Sequence, residues 1–353
     1  MRFLPVAILG ICSWTTNAQK VEVREAELLY LPGVADSNSP MHWNGGKLYV
    51  YNSDGNPLRS EGASLTTLRN VRSAHIVENP ISPWWIEATF RDPDGTIFAW
   101  YHHEQWDVCE SETTGVYLSI PMIGALVSKD NGRTFKNMGI VLRARGEPNC
   151  KAENGYFAGG HGDFSVVLDK ERKFFYFLFS NYTGEAAEQG VALARLPYEH
   201  RYDQAGSVFK YHDGAWESPG IDGPVTPVIP VKTPWERPNA DAFWGPSIHF
   251  NRELGEWVML LNRSCCEPGW PAEGIYVSTN PDISNPKGWS EPERIVERGG
   301  WYPMTVGLDP GDTDKEAGAR ARLFIGSDSF WEIVFRKGQT GVSEIRAAAP
   351  NKK

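Results

Sequence analysis

Five times along the chain, a short apolar strand turns tightly into an aromatic-rich strand. The turns hold the Gly, Asn, Asp and Pro residues typical of β-hairpins, as in Asn44-Gly45-Gly46 and Asp92-Pro93-Asp94-Gly95. The first strands of the five hairpins begin near Met41, Ile86, Phe164, Pro246 and Tyr302. A repeated hairpin cannot bury its apolar face alone, so the repeats must pack against one another.

Further strand-like segments follow each hairpin, and no amphipathic helix of ordinary length is evident. The sequence therefore predicts an all-β fold, a five-bladed β-propeller formed as a single domain by residues 19–337. The fifth blade lacks one strand at its C-terminal end. The segment Glu25–Leu31 would supply that edge strand and close the ring, because closure removes exposed strand edges. Residues 338–353 are predicted to form a loose tail.

The first 18 residues are predicted to be a signal peptide. Arg2 precedes an apolar run from Phe3 to Cys12, and small residues end the segment at Ala18. The run is too short for a membrane span, so a secreted or periplasmic protein is expected. Removal of residues 1–18 takes away one charged residue, Arg2, so the net charge changes from −9 to −10. This charge disfavours nucleic acid as a partner and suits a neutral substrate.

Four cysteines remain after the signal peptide, and an oxidising compartment favours disulfides. Cys109 and Cys150 lie in loops expected at the same face of the ring, so we predict a bridge between them. Cys265 and Cys266 either form a vicinal disulfide or remain free thiols. No spacing typical of a zinc site is present, and no metal site or cofactor is predicted; a structural calcium ion in the central channel stays open.

Residues 128–135 form a local turn motif with the pattern Ser-x-Asp-x-Gly-x-Thr-Phe. Asp130 and Thr134 can bond the backbone of the turn, Gly132 can adopt positive φ, and Phe135 can anchor the turn. The motif resembles the Asp box of sialidases and related propellers. It supports a propeller-type hairpin between outer strands, and it carries no chemistry of its own.

Acidic residues lie at or just before the first strand in four of the five repeats: Asp36, Glu87, Asp163 and Asp241. In a propeller, the first strand of each blade starts at the face where the second strand ends. Residues at these positions therefore surround one central funnel. Carboxylates that face each other across a cleft are what cleavage of a glycosidic bond requires.

This layout resembles that of the five-bladed propeller glycoside hydrolases of family 43 (arabinanases and xylosidases) and family 32 (invertases and levanases). In those families an Asp of the first blade is the base or nucleophile, and Asp36 stands in the corresponding place. The second blade carries a tuning Asp and the third a Glu that acts as general acid. Here the residue types are exchanged, with Glu87 in the second blade and Asp163 in the third.

The catalytic candidates are thus Asp36 as base or nucleophile, Glu87 as the favoured acid, and Asp163 as a tuning residue that could exchange roles with Glu87. Glu87 lies between apolar neighbours, which should raise its pKa. The candidates for substrate binding share positions around the funnel: Asn38, His102, His103, His161, Asp241, Trp244 and Arg263. Strand alternation lets only one of His102 and His103 face the funnel, and Arg263 is expected to pair with a carboxylate.

The sequence therefore predicts a secreted glycoside hydrolase that acts on a neutral oligo- or polysaccharide, with an inverting mechanism favoured by the resemblance alone. A non-catalytic carbohydrate-binding propeller is the first alternative, since the third blade lacks the Glu. A sialidase is less favoured, because only Arg263 is clearly placed to bind a sialic acid carboxylate. A structural surface propeller is also compatible with the sequence, which does not indicate the oligomeric state.

Overall fold

The computed structural model describes residues 20–346, and these residues form an all-β protein in which the strands make up five sheets. Within this range the helical elements are two 3-10 turns, Leu65–Thr67 and Tyr198–His200. Each sheet contains one of the predicted hairpins, so we name the sheets blades I to V in the order of those hairpins. The predicted all-β propeller is confirmed. No helix in residues 20–346 is both long and apolar enough for a transmembrane span.

The strands of the blades follow, each blade from its innermost strand outwards. Blade I contains Met41–Asn44, Lys47–Asn52, Leu58–Gly62 and Arg69–Ser73. Blade II contains Trp85–Arg91, Ile97–Glu110, Tyr117–Ser128, Thr134–Leu142 and His75–Glu78. Blade III contains His161–Leu168, Phe174–Asn181, Gly190–Pro197, Phe209–His212 and Ala215–Pro219, with Ile229–Pro230 paired to its third strand.

Blade IV contains Ala242–Asn251, Glu256–Ser264, Ala272–Asn280, Glu293–Glu297 and the short strands Glu316–Ala317 and Ile345–Arg346. Blade V contains Pro303–Gly307, Arg320–Ile325, Asp328–Phe335 and Val21–Tyr30. The innermost strands of blades I to V contact one another in chain order. Blade V then packs on blade I, where Met304 and Phe324 share an apolar cluster with Met41 and Val50. The five sheets therefore form a ring.

The N-terminal strand closes the ring, as predicted, and is longer than expected. It spans Val21–Tyr30 and pairs antiparallel with Asp328–Phe335, the third strand of blade V. Val21 and Val23 are buried in the same apolar cluster as Leu323 and Ile333. The first described strand and the strands of the fifth hairpin unit are thus joined in one blade, and neither paired strand is left with an open inner edge.

The segment predicted as a loose tail is partly attached to the ring. Ile345 and Arg346 pair in parallel with Val296 and Glu297 of blade IV, and the Ser343 N–H donates to the Val21 carbonyl. The predicted signal peptide, residues 1–18, lies outside the described residues, as do residues 347–353.

Aromatic side chains fill the space between neighbouring blades, which explains why the second strand of each hairpin is rich in them. Trp100 of blade II packs on Phe175 and Phe177 of blade III, with ring centroids 5.2 and 5.6 Å apart. All three side chains are fully buried. Burial of such large rings is a main source of stability for the ring of blades.

The turn at residues 128–134 adopts the geometry that its sequence indicates. The Asp130 carboxylate accepts hydrogen bonds from the Arg133 and Thr134 N–H groups at 3.0 Å, and Gly132 has φ of 71°. The turn also docks on blade I, because the Arg59 guanidinium donates to the Asn131 carbonyl at 2.6 Å. It therefore connects two blades in addition to joining two strands.

Candidate active site

Two of the predicted carboxylates, Glu87 and Asp163, lie in β-bulges of innermost strands. The pairing of Trp85–Arg91 with its neighbour shifts register between Ile86 and Ala88. The pairing of His161–Leu168 shifts between Gly162 and Phe164. A bulged residue leaves the regular alternation, and its side chain is turned to a new direction. Here the two bulges bring carboxylates of blades II and III together near the axis.

Glu87 is completely buried, and protein donors occupy both of its carboxylate oxygens. Oε1 lies 3.0 Å from His102 Nδ1, and Oε2 accepts a hydrogen bond from the Phe164 N–H at 2.9 Å. A carboxylate with no free oxygen and no accessible surface cannot reach a substrate. This position argues against the predicted role of Glu87 as proton donor and for a role in holding His102 and blade III.

His102 links the carboxylates of blades II and III. One ligand atom from each of Glu87, His102 and Asp163 lies within 4.8 Å of the others. Although burial opposes protonation, the hydrogen bond and charge of Glu87, with further help from Asp163, raise the pKa of His102 to about 9. The Glu87 carboxylate therefore favours the protonated, imidazolium form of His102.

Asp163 is almost completely buried and has a backbone φ of 41°, in the left-handed region that non-glycine residues rarely adopt. Its Oδ2 accepts a short hydrogen bond from the Tyr182 hydroxyl. Burial raises the pKa of the Asp163 carboxyl well above its ordinary range, and the nearby charge of Glu87 adds to this, while His102 opposes it. Asp163 is consequently poised to hold a proton near neutral pH.

Asp36 approaches the same centre from the segment that joins blade V to blade I. Its N–H donates to the Ser53 carbonyl at 2.8 Å, and its side chain is open to solvent on one side. Burial of the other side, followed by the charges of Asp54 and Glu104, raises the pKa of Asp36 to about 6. The electrostatic coupling of Asp36 to His102 and Glu87 shows that it belongs to the same group of charges.

Two tyrosines, which were not predicted, and Glu104 complete the cluster. Tyr182 bonds Asp163, and Glu104 Oε1 lies 3.8 Å from His102 Nε2. Burial, together with the charges of Asp163, Asp36 and Glu87, raises the pKa of Tyr302 well above its ordinary value. Tyr302 precedes the innermost strand of blade V and has φ of 61°. The position rule that selected the acids also selects Tyr302, which stands where the fifth acid is missing.

Several predicted substrate-binding residues are placed where a ligand cannot reach them. Asn38 is buried, and its Nδ2 donates across the axis to the carbonyls of Phe164 and Pro246 at 2.9 and 3.3 Å. Trp244 is 1% exposed, and its Nε1 donates to Ser264 Oγ. His161 is enclosed next to the Lys210 ammonium, 2.9 Å away. Blade packing takes up these three side chains, so the structure argues against the predicted contact of each with a substrate.

Of the two adjacent histidines, only His102 joins the carboxylates; the half-buried His103 contacts the Pro83 carbonyl with Nδ1 at 2.7 Å. Asp241 and Arg263 form a bidentate ion pair with two N···O distances of 2.9 Å. This pairing was predicted for Arg263. Asp241 is therefore a partly exposed residue at the rim, and the Arg263 guanidinium balances its negative charge.

The predicted Cys109–Cys150 disulfide is present, and of the two alternatives for Cys265 and Cys266 the structure contains the disulfide. Cys109–Cys150 joins the long hairpin of blade II to the loop that precedes blade III, with a Cα–Cα distance of 5.9 Å. Cys265 and Cys266 are bonded to each other. The Cys109–Cys150 bridge fixes the wall of the face on which the carboxylates meet.

The atoms of Glu87, His102 and Asp163 have a spacing that could hold a metal ion. In this structure the Glu87–His102 hydrogen bond uses two of these atoms. The cluster is a hydrogen-bonded charge network in which His102 Nε2 has no hydrogen-bond partner among the described residues. These ionisable groups offer acid–base chemistry.

An aromatic wall extends outwards from this cluster. The Trp301 ring contacts the rings of Tyr302, Trp244 and Tyr156 at centroid distances of 6.5, 5.5 and 6.2 Å. Trp244 is buried, Trp301 is half-buried, and Tyr156 is 38% exposed. Trp301 and Tyr156 are consequently the aromatic surfaces that a ligand at the rim could touch.

No protein-family model matches the sequence, and no curated protein matches it. The fold, however, is similar to that of solved structures. One is a candidate exo-β-1,3-galactanase from Bifidobacterium bifidum s17, with a TM-score of 0.55 at 13% identity over 93% of this chain and 99% of that chain. Another is an α-L-arabinofuranosidase from Lactobacillus brevis, with a TM-score of 0.53 at 12% identity over 92% and 98% of the two chains.

A thermostable family-43 glycoside hydrolase is also similar, with a TM-score of 0.50 at 10% identity, over 92% of this chain and the whole of that chain. At such identities the likeness establishes the fold. The predicted resemblance to the propellers of family 43 is thereby confirmed at the level of architecture.

Proposed function

We propose that this protein is a glycoside hydrolase that uses carboxylic acids at the centre of one face of the ring. The observation that carries the proposal is the meeting of Glu87 and Asp163, from blades II and III, at His102, with Asp36 and Tyr302 electrostatically coupled to them. The family-43 architecture supports it, since the similar structures include enzymes named for glycoside cleavage.

The roles follow from the proton affinity of both acids and, for Asp36, from its exposure. Asp163 holds a proton to higher pH than Asp36, so Asp163 would donate a proton to the glycosidic oxygen as the bond to the anomeric carbon breaks. Asp36 is ionised above about pH 6 and open to solvent, so it would accept a proton from the water that attacks the anomeric carbon. This single displacement inverts the anomeric configuration, as the resemblance to family 43 implies.

Glu87, His102 and Tyr182 would act as positioning residues for Asp163. Glu87 bonds the Phe164 N–H, next to Asp163 in the chain, and Tyr182 bonds the carboxyl itself. The His102 charge lowers the proton affinity of Asp163, whereas burial and Glu87 raise it. The balance keeps Asp163 protonated only up to about neutral pH, which suits a general acid.

The substrate we propose is a neutral oligo- or polysaccharide. The cationic groups nearest the cluster, His102 and Arg263, are already paired with Glu87 and Asp241. A substrate carboxylate would find no free cation there, which disfavours a sialidase. Trp301 and Tyr156 offer aromatic faces on which sugar rings stack.

Activity should be screened with 4-nitrophenyl glycosides of galactose, arabinose and xylose, and with β-1,3-galacto- and arabino-oligosaccharides. We expect turnover of at least one substrate and a loss of about 10³-fold in kcat for Asp36→Asn and for Asp163→Asn. Asp203→Asn, an exposed residue outside the cluster, is the matched control. Turnover that survives both changes would refute the assignment.

A non-catalytic carbohydrate-binding propeller is the second candidate. One observation favours it: both oxygens of Glu87 and one oxygen of Asp163 are bonded by protein groups, which leaves few free acid atoms. Binding of the same oligosaccharides by calorimetry, without any turnover in the screen, would decide for this alternative.

We also propose that the protein works outside the cytoplasm. Two disulfides in the described structure support this, because such bonds persist in oxidising compartments. Mass spectrometry of the protein expressed in a host with a secretion pathway should find the mature chain beginning at Gln19 in the exported fraction. Retention of residues 1–18 in a cytoplasmic product would contradict it.

A further inference from the structure

A cavity opens on the same face of the ring as the carboxylates, between blades II and III. Its volume is about 420 Å³, within the range typical of small-ligand sites, ~300–1,000 Å³. The lining residues include Gln105, Ile120, Met122, Arg143, Gly160 and Thr183. None of them takes part in the acid–base cluster.

The cavity and the carboxylate cluster share one thin wall. Gly160 lines the cavity and lies so close to Pro121 that a Cβ atom on Gly160 would be 2.5 Å from Pro121 Cδ. On the other side, a Cβ atom on Gly162 would lie 2.9 Å from Pro121 Cβ and 3.0 Å from His102 Cε1. The backbone from Gly160 to Asp163 therefore separates the cavity from the carboxylate cluster.

The floor of the cavity is apolar. Ile120 and Met122 are half-buried and alternate with Pro121 and Ile123, which are buried on the opposite side of the strand. Gln105 is paired with Ile120 in the ladder and adds an amide to the same side. An apolar surface edged by an amide matches the C–H face and the hydroxyl edge of a sugar ring.

Both arginines of the wall are paired with carboxylates, and Glu147 adds a further carboxylate to the lining. Arg143 forms a bidentate ion pair with Asp222 at 3.0 and 2.7 Å, and Arg145 binds Glu188 at 2.6 Å. The backbone is also fixed, because the buried Lys210 ammonium donates to the Arg143 carbonyl at 3.0 Å. Such a wall presents donors and acceptors while its arginines are already paired, which suits neutral hydroxyl groups better than an anion.

We propose that this cavity is a secondary subsite that binds a neutral sugar residue of the same glycan whose bond is cleaved at the carboxylate cluster. The inference rests on the proposed function, and it adds that the substrate is an extended or branched glycan. A sugar residue held there would extend along the shared wall of Pro121 and Gly160. Its binding would strengthen recognition of longer substrates without touching the reacting atoms.

The test fills the cavity with Met122→Trp and, more gently, removes a polar contact with Gln105→Ala. Tyr117→Trp adds the same side chain to the same strand at a position that is 59% exposed and outside the cavity, so it is the matched control. All variants are compared for thermal unfolding, for turnover of the best 4-nitrophenyl glycoside, and for kcat/KM on oligosaccharides of increasing length and branching.

We expect Met122→Trp to lower kcat/KM about tenfold on the longest or branched oligosaccharides and to leave the 4-nitrophenyl glycoside unaffected. Gln105→Ala should show a smaller loss of the same kind, and Tyr117→Trp none. Equal kcat/KM for Met122→Trp and the wild type on every oligosaccharide would overturn the proposal.

Failure of the proposed function would be recognised separately. If no substrate is turned over by the wild type, calorimetry with the same oligosaccharides still reports on the cavity. Binding weakened by Met122→Trp and not by Tyr117→Trp would support the subsite in a binding protein. Absence of binding, or binding unaffected by the filled cavity, would overturn it.

Discussion

Asp36 is exposed to solvent and nevertheless has a raised pKa. The side chain is reached by solvent, yet burial of its other side and the charges of Asp54 and Glu104 raise its pKa to about 6. If Asp36 is the base, kcat/KM must fall as the pH drops through about 6, because the protonated carboxyl cannot accept a proton.

Asp54→Asn tests the electrostatic coupling between Asp54 and Asp36 and changes no residue of the carboxylate cluster. The charge of Asp54 raises the pKa of Asp36, so its removal must lower that pKa and move the acidic limb of the pH–rate profile to lower pH. Asp203→Asn, a distant and exposed change, should leave the limb in place. A limb that stays unchanged in Asp54→Asn would mean that Asp36 does not control it.

The Glu87–His102 pair makes a prediction about stability. The folded-state pKa of His102 is raised from 6.5 to about 9, so its stabilising effect is complete below about pH 6.5 and is lost as the pH rises through 9. Glu87→Gln removes the partner, and we expect the free energy of unfolding at pH 6 to fall by about 3 kcal/mol.

Chemical denaturation at pH 6 and pH 9 measures this. The difference in free energy of unfolding between the wild type and Glu87→Gln should be smaller at pH 9 than at pH 6. His103→Gln is the control, since His103 bonds a carbonyl and not a carboxylate. A difference that is the same at both pH values would contradict a charged His102.

At the scale of elements, the turn at residues 128–134 joins blade II to blade I. Gly132 has φ of 71°, and a Cβ atom there would lie 1.7 Å from the Tyr51 hydroxyl oxygen. Gly139 has φ of 95°, and a Cβ atom there would meet nothing within 4 Å. Substitution of either glycine carries the cost of positive φ, but only substitution of Gly132 adds a clash with blade I. A comparison of the two variants therefore separates these costs.

We expect Gly132→Ala to reduce the free energy of unfolding by about 3 kcal/mol, the sum of a conformational cost and an overpacking cost. Gly139→Ala should cost only about 1 kcal/mol, because it carries the conformational cost alone. Urea denaturation measures both. Equal losses would show that the turn does not pack on blade I as described.

At the scale of the whole molecule, the N-terminal strand closes the ring. Val23 is 3% exposed within the cluster that joins blades IV and V, so Val23→Asp would bury a charge. We expect a loss of about 3–5 kcal/mol in the free energy of unfolding. Glu25→Ala, on the same strand and exposed, should stay within about 0.5 kcal/mol of the wild type. Similar free energies of unfolding for the two variants would mean that closure of the ring by the N-terminal strand contributes little to stability.

The repeated hairpins, the closing strand and the Cys109–Cys150 bridge could be predicted from the sequence, because each depends on local patterns and on which face a loop joins. The exact directions of side chains could not. Glu87 and Asp163 leave the strand alternation through bulges that depend on pairing with a neighbouring strand. Trp244 and His161 are taken into the packing of blades. The position of Tyr302 beside the carboxylates requires the closed ring.

If Asp163 donates a proton to the leaving group, the effect of its removal must depend on how much the leaving group needs that proton. The measurement compares kcat/KM of the wild type and Asp163→Asn on 4-methoxyphenyl and 2,4-dinitrophenyl glycosides of the preferred sugar. We predict a loss of about 10³-fold on the first and a much smaller loss on the second, whose leaving group needs no proton. Equal losses on both, or no turnover of either by the wild type, would contradict the account.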